Sequence, residues 1–211
     1  MIIISDSADC TVVLWDLSSL VYIRQLPMFP SPVSAIFMNE LTGEIVTAAG
    51  IMLSVWSING DCLSVVNTSQ LPSDFIMSVT TCTFSDWRET NWYVSGHQSG
   101  AVKVWQMVHN SSENVQTQTQ SQTFGLGLCG QVPEYTLVLH KVLKGHKHSV
   151  TALHLTSDLK QLLSGDSGGH LISWTLPDET LRNSIRRGKN EVKSEVMAHG
   201  DTVVQSVGTL V

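Results

Sequence analysis

The sequence has few of the features that nucleic-acid-binding proteins share. Charged residues make up only 14% of the 211 residues, and acidic side chains outnumber lysine and arginine by 18 to 12. The resulting formal net charge is −6, and the basic residues never cluster beyond Arg186 to Lys189. Proteins that bind DNA or RNA usually present a basic stripe. We therefore expect protein partners and no nucleic-acid partner.

The sequence also lacks paired cysteines and an apolar leader. Cys10, Cys62, Cys82 and Cys129 are far apart and form no CxxC pair. This spacing predicts reduced thiols in the cytosol, without a disulfide framework or a zinc site. The start, Met1 to Ile4, has no basic flank and is too short for a signal peptide or a membrane span. We therefore predict a cytoplasmic protein that does not insert directly into a membrane.

What the sequence does contain is one short pattern that occurs four times. Each copy has a strand end, a tight turn of small or acidic residues, and a β-rich strand that finishes on tryptophan, at Trp15, Trp56, Trp105 and Trp174. A period of about 40 residues with this ending is typical of the WD repeat, in which each copy forms one four-stranded propeller blade. The pattern therefore predicts a binding platform.

The repeats predict an all-β fold, a partial WD-repeat β-propeller of about four blades within a larger ring of about seven. Residues 1–108 should hold blades 1–3, of which the first lacks its inner strand. Residues 109–134 carry a Gln-, Thr- and Ser-rich tract, which predicts a disordered loop. Residues 135–176 should form blade 4, and residues 177–211 a C-terminal tail. Three strands are predicted from β-branched and apolar runs: Val33 to Met38, Cys62 to Asn67 and Val150 to Leu155.

WD blades often contain a polar tie between loops, in which an aspartate six residues before the tryptophan hydrogen-bonds the histidine of a Gly-His pair. Asp9 has that position relative to Trp15, and His146 is the histidine of the pair that precedes the fourth blade. The other copies have a different residue at the aspartate position: Gly50, Ser99 and Gly168. The sequence therefore predicts that the polar tie is mostly absent and that apolar packing holds the blades together.

No catalytic set is complete in the sequence. Residues 165–169 match the nucleophile signature of trypsin-like proteases, with Ser167 in the place of the nucleophile. Gly50, however, stands where the related segment 46–50 would need a histidine, and a serine without a general base is a poor nucleophile at neutral pH. We therefore predict a protein that is not an enzyme. A cryptic hydrolase that uses Ser167 is the alternative.

Two motifs suggest ligands but lack the context that a site needs. The GxGxxG match at residues 125–130 follows the Gln-rich tract and leads to Pro133, whereas a dinucleotide site would open a helix. His146 and His148 are two metal ligands without a nearby carboxylate or thiol to complete a site. We therefore expect no cofactor and no metal.

Two segments have the pattern of docking peptides. Tyr135 and Val138 have the spacing of a peptide that adds a strand to Atg8-like proteins. Because Thr136 to Leu143 also has the composition of an outer blade strand, we favour a structural role for both residues. Thr209 and Val211 end the sequence as ligands of PDZ grooves do, with a hydroxyl two residues before a terminal aliphatic residue.

Several longer segments resemble one protein family. They are residues 39–46, 55–60, 66–68, 94–97 and 165–167. Together they are similar to the C-terminal propeller of BEACH-domain proteins of the Alfy group, the WD repeat and FYVE domain-containing family, and residues 150–181 are most similar to its fourth member. The resemblance implies a scaffold in vesicle trafficking and selective autophagy, with a BEACH domain upstream. It also implies peripheral attachment to endosomal or autophagic membranes through the longer protein.

Overall fold

The structure, a computed structural model, describes residues 2–6, 8–39, 41–82, 91–110, 133–156, 161–175 and 192–197. These residues form fifteen β-strands and no helix. The strands make four antiparallel sheets, of which three have four strands and one has three. This architecture confirms the predicted all-β, partial WD-repeat propeller with one incomplete blade. No helix in the described ranges is long and apolar enough to cross a membrane.

The strands follow the chain from sheet to sheet. The first sheet contains β1 (Ile2–Asp6), β2 (Val12–Asp16) and β3 (Val21–Gln25). The second contains β4 (Val33–Met38), β5 (Ile45–Ala49), β6 (Met52–Trp56) and β7 (Cys62–Asn67). The third contains β8 (Ile76–Cys82), β9 (Trp92–His97), β10 (Ala101–His109) and β11 (Tyr135–Lys144). The fourth contains β12 (Val150–Leu155), β13 (Gln161–Asp166), β14 (His170–Thr175) and β15 (Val192–Met197).

The inner strands of the second and fourth sheets share one irregularity. The register between β4 and β5 shifts between Val33 and Ala35, and the register between β12 and β13 shifts between Val150 and Ala152. Val33 lies opposite Ala49, and Val150 lies opposite Asp166. The two sheets can therefore be compared residue by residue, because the same kind of bulge fixes the register in both.

The chain forms two compact units: Met1–Ile76 with Met107–Leu137, and Met77–Gln106 with Val138–Val211. In the first unit, β5 and β6 are buried along their whole length. Such continuous burial is expected for the middle strands of a sheet that is covered on both faces. The buried apolar cluster of this unit includes Val12, Leu14, Leu26, Phe29, Val33, Ile45, Ala49, Met52 and Trp56.

The second unit has an apolar cluster of its own around Trp174. Its buried members are Trp92, Val94, Val102, Val104, Leu143, Val150, Leu155, Leu162, Ile172 and Trp174. A hydroxyl adds a polar contact, because Ser78 Oγ in β8 donates to the carbonyl oxygen of Val150 in β12 at 2.9 Å. An equivalent bond in the first unit joins Ser34 Oγ of β4 to the Ile76 carbonyl oxygen at 2.6 Å. Serine hydroxyls therefore link successive inner strands in both units.

The boundary of the fourth blade differs from the prediction. Residues 135–176 were expected in one blade, but β11 (Tyr135–Lys144) is the outer strand of the third sheet. The backbone explains this placement, since the N–H of Asn110 donates to the Glu134 carbonyl oxygen at 2.9 Å and continues the pairing at the end of β10. The outer strand of the fourth sheet is β15, within the predicted tail, and it pairs with β14. Residues 111–132 of the predicted loop, and residues 176–191 and 198–211, lie outside the described residues.

The cysteines differ in part from the prediction of reduced thiols. Cys10 is a free thiol, as expected. Cys62 takes part in a disulfide bond. Spacing along the chain did not indicate this bond, because a disulfide depends on the distance between residues in the folded protein.

Candidate protein-interaction site

Each of the four repeat tryptophans donates its indole N–H to a hydroxyl in its own sheet. The pairs are Trp15 with Ser5 at 3.1 Å, Trp56 with Thr47 at 3.0 Å, Trp105 with Ser95 at 2.9 Å, and Trp174 with Ser164 at 2.7 Å. These hydroxyls were not predicted from the sequence. A signal was present, because a serine precedes the tryptophan by ten residues in three of the four copies.

In the fourth sheet this pair is part of a buried polar network. His146 Nε2 lies 2.6 Å from Ser164 Oγ, and His146 Nδ1 lies 2.9 Å from Asp166 Oδ2. The side chains of His146 and Asp166 are 0% and 1% exposed. Because buried polar groups are costly unless they are paired, this network depends on every member being present.

The network corrects the prediction that the polar tie is absent from the fourth blade. The aspartate of the tie is Asp166, at the end of β13, and Gly168 occupies the position six residues before Trp174 at which the repeat pattern predicts an aspartate. Asp9, which has the aspartate position relative to Trp15, makes local bonds with Thr11. Its carboxylate accepts the backbone N–H of Thr11 at 3.1 Å and the Thr11 hydroxyl. Asp9 therefore caps a turn, as aspartates commonly do.

The second sheet replaces the polar tie with apolar side chains. By the shared register, Phe29 corresponds to His146 and Ala49 corresponds to Asp166. The Phe29 ring meets the indole of Trp56 edge to face, with centroids 5.7 Å apart. His146 has a similar edge-to-face relation to Trp174 at 6.4 Å. The second sheet thus lacks both the imidazole and the carboxylate, so neither group is buried without its partner.

Asp166 also organises the turn that follows β13. Its Oδ1 accepts the backbone N–H groups of Gly168 and His170, each at 2.9 Å, and lies 3.1 Å from His170 Nδ1. Burial alone would raise the pKa of the Asp166 carboxyl group. The hydrogen bonds from His170 and His146 outweigh it, so the pKa is lowered from its ordinary value.

Ser164, His146 and Asp166 are connected in the order of a hydrolase triad, but the surroundings give them a structural role. Ser164 is completely buried, so its oxygen cannot meet a substrate carbonyl. The same oxygen also lies within hydrogen-bond distance of the Trp174 indole nitrogen. A nucleophile needs access and donors for the developing oxyanion, in addition to a base. Ser167, the predicted alternative nucleophile, lies in the turn, and its backbone N–H bonds to the Ser149 carbonyl oxygen at 2.9 Å.

The outer side of this network is a shallow hollow at the end of the fourth sheet. It is lined by Gly145, His146, Lys147, Asp166 and His170. His148 lies beside it, with its ring parallel to that of His170 at a centroid distance of 6.0 Å and an angle of 8°. No group of three or more His, Cys, Asp or Glu side chains in the described ranges is arranged to hold a metal ion. Within the described ranges, the hollow is a candidate for contact with a partner.

Comparison with known proteins decides the family. The chain is 67% identical over 190 residues to the Protein SPIRRIG of Arabidopsis thaliana, and 65% identical over 189 residues to its BEACH domain-containing protein A2. Each match covers 89% of this chain and 5% of the relative. The chain belongs to the BEACH-domain family of WD-repeat proteins. The expected resemblance to the fourth member of the WD repeat and FYVE domain-containing family is confirmed at 30% identity for the Homo sapiens protein, over 82% of this chain and 6% of that protein.

Two further comparisons bear on this BEACH-family chain. A solved structure, that of the computationally designed Ika8 protein, matches it with a TM-score of 0.61 at 19% identity, over 99% of this chain and 50% of the other. A likeness at that identity shows the fold alone. No protein-family model matches the chain.

Tyr135 and Val138 of this BEACH-family chain are not among the residues that line the hollow. Tyr135 begins β11, and its ring meets the His109 imidazole edge to face at 5.3 Å. Val138 of the same strand is 38% exposed. Because β11 is the outermost strand of its sheet, pairing within the sheet occupies only one of its edges. Thr209 and Val211 lie outside the described residues.

Proposed function

We propose that this chain is a non-catalytic protein-interaction module of a BEACH-domain protein that acts in vesicle trafficking and selective autophagy. The observation that carries the proposal is the identity of 67% and 65% to two BEACH-family proteins along 89% of the chain. The name of another relative supports a role in trafficking: the Lysosomal-trafficking regulator of Homo sapiens is 32% identical over 49% of this chain. The chain spans about 5% of the length of its plant relatives, so the module would act as one part of a larger scaffold.

The blade architecture supports a binding role over a catalytic one. Repeated sheets with short turns provide a rigid surface on which partners can dock. The buried network of His146, Ser164 and Asp166 holds one such turn region in place. By fixing this geometry before a partner arrives, the network reduces the cost of ordering it on binding.

Proximity labelling tests this function directly. The chain, fused to a labelling enzyme and expressed in cells of its source organism, should enrich proteins of endosomes and autophagic membranes over a freely diffusing control. The matched control is the same fusion with Asp166→Ala, which removes a buried member of the network and should lose the enrichment as the fourth sheet unfolds. Equal enrichment by the chain and by the free labelling enzyme would contradict the proposed function.

A second experiment separates this proposal from a hydrolase. Activity-based probes for serine nucleophiles should leave the purified chain unlabelled, because Ser164 is buried and paired and Ser167 was predicted without a general base. A genuine serine hydrolase serves as the positive control. Labelling that disappears in Ser167→Ala or Ser164→Ala would overturn the non-catalytic assignment.

A further inference from the structure

The charge of the fourth sheet's loop end differs from that of the whole chain. Residues 138–156 contain three lysines and four histidines and no aspartate or glutamate, although the formal net charge of the chain is −6. Lys144, Lys147 and His148 are exposed in this segment. Lys147 lines the hollow at the end of the fourth sheet, and Lys144 and His148 flank the lining residues 145–147 in the chain, so the rim of the hollow is basic.

The Asp166 carboxylate within the hollow does not cancel the positive charge of this rim. Asp166 is completely buried. Its Oδ2 pairs with His146, and its Oδ1 is surrounded by donors from Gly168 and His170. Hydrogen bonds from within the protein therefore already occupy both oxygens of this carboxylate. The rim groups Lys144, Lys147 and His148 are thus left to attract an external anion.

The imidazole of His148 is positioned by its surroundings. A Cβ atom at Gly168 would lie 2.4 Å from His148 Cδ2, so the ring rests directly on the glycine backbone. The ring is also parallel to that of His170. Only a glycine at position 168 leaves room for the imidazole, so the position of the His148 ring depends on Gly168.

The loop that carries these side chains is anchored on both sides. Ser149 Oγ donates to the Gln98 carbonyl oxygen at 3.3 Å, and Ser167 N–H donates to the Ser149 carbonyl oxygen. The loop packs closely against Gly100, since a Cβ there would lie 2.4 Å from the His146 carbonyl oxygen. A site on an anchored loop needs little further ordering when a ligand binds.

We propose that Lys144, Lys147, His148 and His170 form a site for an acidic peptide segment of a partner protein. This inference rests on the proposed interaction function and names the chemistry of the partner. A peptide fits better than a nucleic acid, because the hollow is small and the chain as a whole carries negative charge. Carboxylate side chains of such a segment would pair with the two ammonium groups and accept hydrogen bonds from imidazole N–H groups.

Fluorescence anisotropy of a labelled oligoglutamate peptide with the full chain tests the site. We expect binding that weakens about two- to fivefold in His148→Gln, as for loss of one exposed contact to a carboxylate. Gly168→Ala should weaken it similarly without changing any charge, because the new Cβ displaces the His148 ring. His109→Gln removes an exposed imidazole outside the site and should leave the affinity unchanged. Thermal melts followed by circular dichroism establish that the variants fold.

Three further ligands decide between partners. An oligoglutamine peptide should not bind, and phosphatidylserine vesicles and a short single-stranded oligonucleotide should bind more weakly than oligoglutamate. The inference is overturned if His148→Gln and Gly168→Ala bind oligoglutamate as the wild type does, or if vesicles or the oligonucleotide bind more tightly. Its failure can be told apart from failure of the proposed function. In that case the wild-type fusion and the His148→Gln fusion would label the same proteins equally, and both would still enrich them over the free labelling enzyme.

Discussion

His146 Nδ1 lies 2.9 Å from Asp166 Oδ2 although twenty residues separate them in the chain. The second sheet has Phe29 and Ala49 at the corresponding positions. One fold therefore accommodates two solutions at the same place, a buried polar pair and a buried apolar pair. A mixture of the two would leave a carboxylate or an imidazole buried without its partner, which is costly.

This relationship predicts non-additive effects of substitution. Asp166→Ala and His146→Phe should each lower the free energy of unfolding by about 3–5 kcal/mol, because each leaves one buried polar partner unpaired. The double variant, which imitates the second sheet, should be less destabilised than the sum by about 1–3 kcal/mol. Urea unfolding of the four proteins measures this coupling. Asp9→Ala, in an exposed turn, should change stability by no more than about 1 kcal/mol. Strict additivity would show that the two side chains do not act as a pair.

The lowered pKa of Asp166 predicts acid sensitivity of the fourth sheet. In the unfolded chain this carboxyl group has its ordinary pKa of 3.8, and the folded value is lower. A group whose pKa falls on folding stabilises the protein above its unfolded pKa and loses that contribution as pH falls through the folded value. The stability difference between wild type and Asp166→Asn should therefore be full at neutral pH and shrink below about pH 4. Urea midpoints at several pH values test this, and a difference that grows on acidification would show the wrong sign.

The repeat tryptophans should differ in their contribution to stability. Trp174 is 2% exposed and donates to the buried Ser164 hydroxyl, whereas Trp15 is 38% exposed. Trp174→Phe should cost about 2–3 kcal/mol, since it leaves a cavity and removes a donor from a buried oxygen. Trp15→Phe should cost about 1 kcal/mol or less, because water can replace the lost bond. Equal losses in urea unfolding would mean that burial does not distinguish the two copies.

Local composition was enough to predict many strands, and long-range geometry was needed for the rest. β4, β7 and β12 have the bounds expected from their β-branched and apolar runs. The polar tie was missed because the expected spacing pointed to Gly168, while the carboxylate that reaches His146 belongs to Asp166 at the end of β13. The outer strand β11 was assigned to the wrong sheet because a long insertion separates it from β10 in the chain. Pairing across such an insertion depends on contacts that sequence spacing does not report.

The exposed apolar side chains of the first sheet predict self-association. Leu20, Val21, Tyr22 and Ile23 are 79%, 56%, 53% and 40% exposed, and Trp15 packs against Tyr22. β3 is an edge strand, so its outer backbone groups and these side chains together present a surface that favours association. Light scattering should show oligomers of the chain, and Val21→Lys with Ile23→Lys should shift them toward monomer. Gln25→Lys adds one positive charge to the same strand without removing apolar surface and should have little effect. A longer form with additional upstream residues should associate less, because those residues could cover this sheet. A monodisperse wild-type monomer that unfolds cooperatively would show that water tolerates this surface and that nothing needs to cover it.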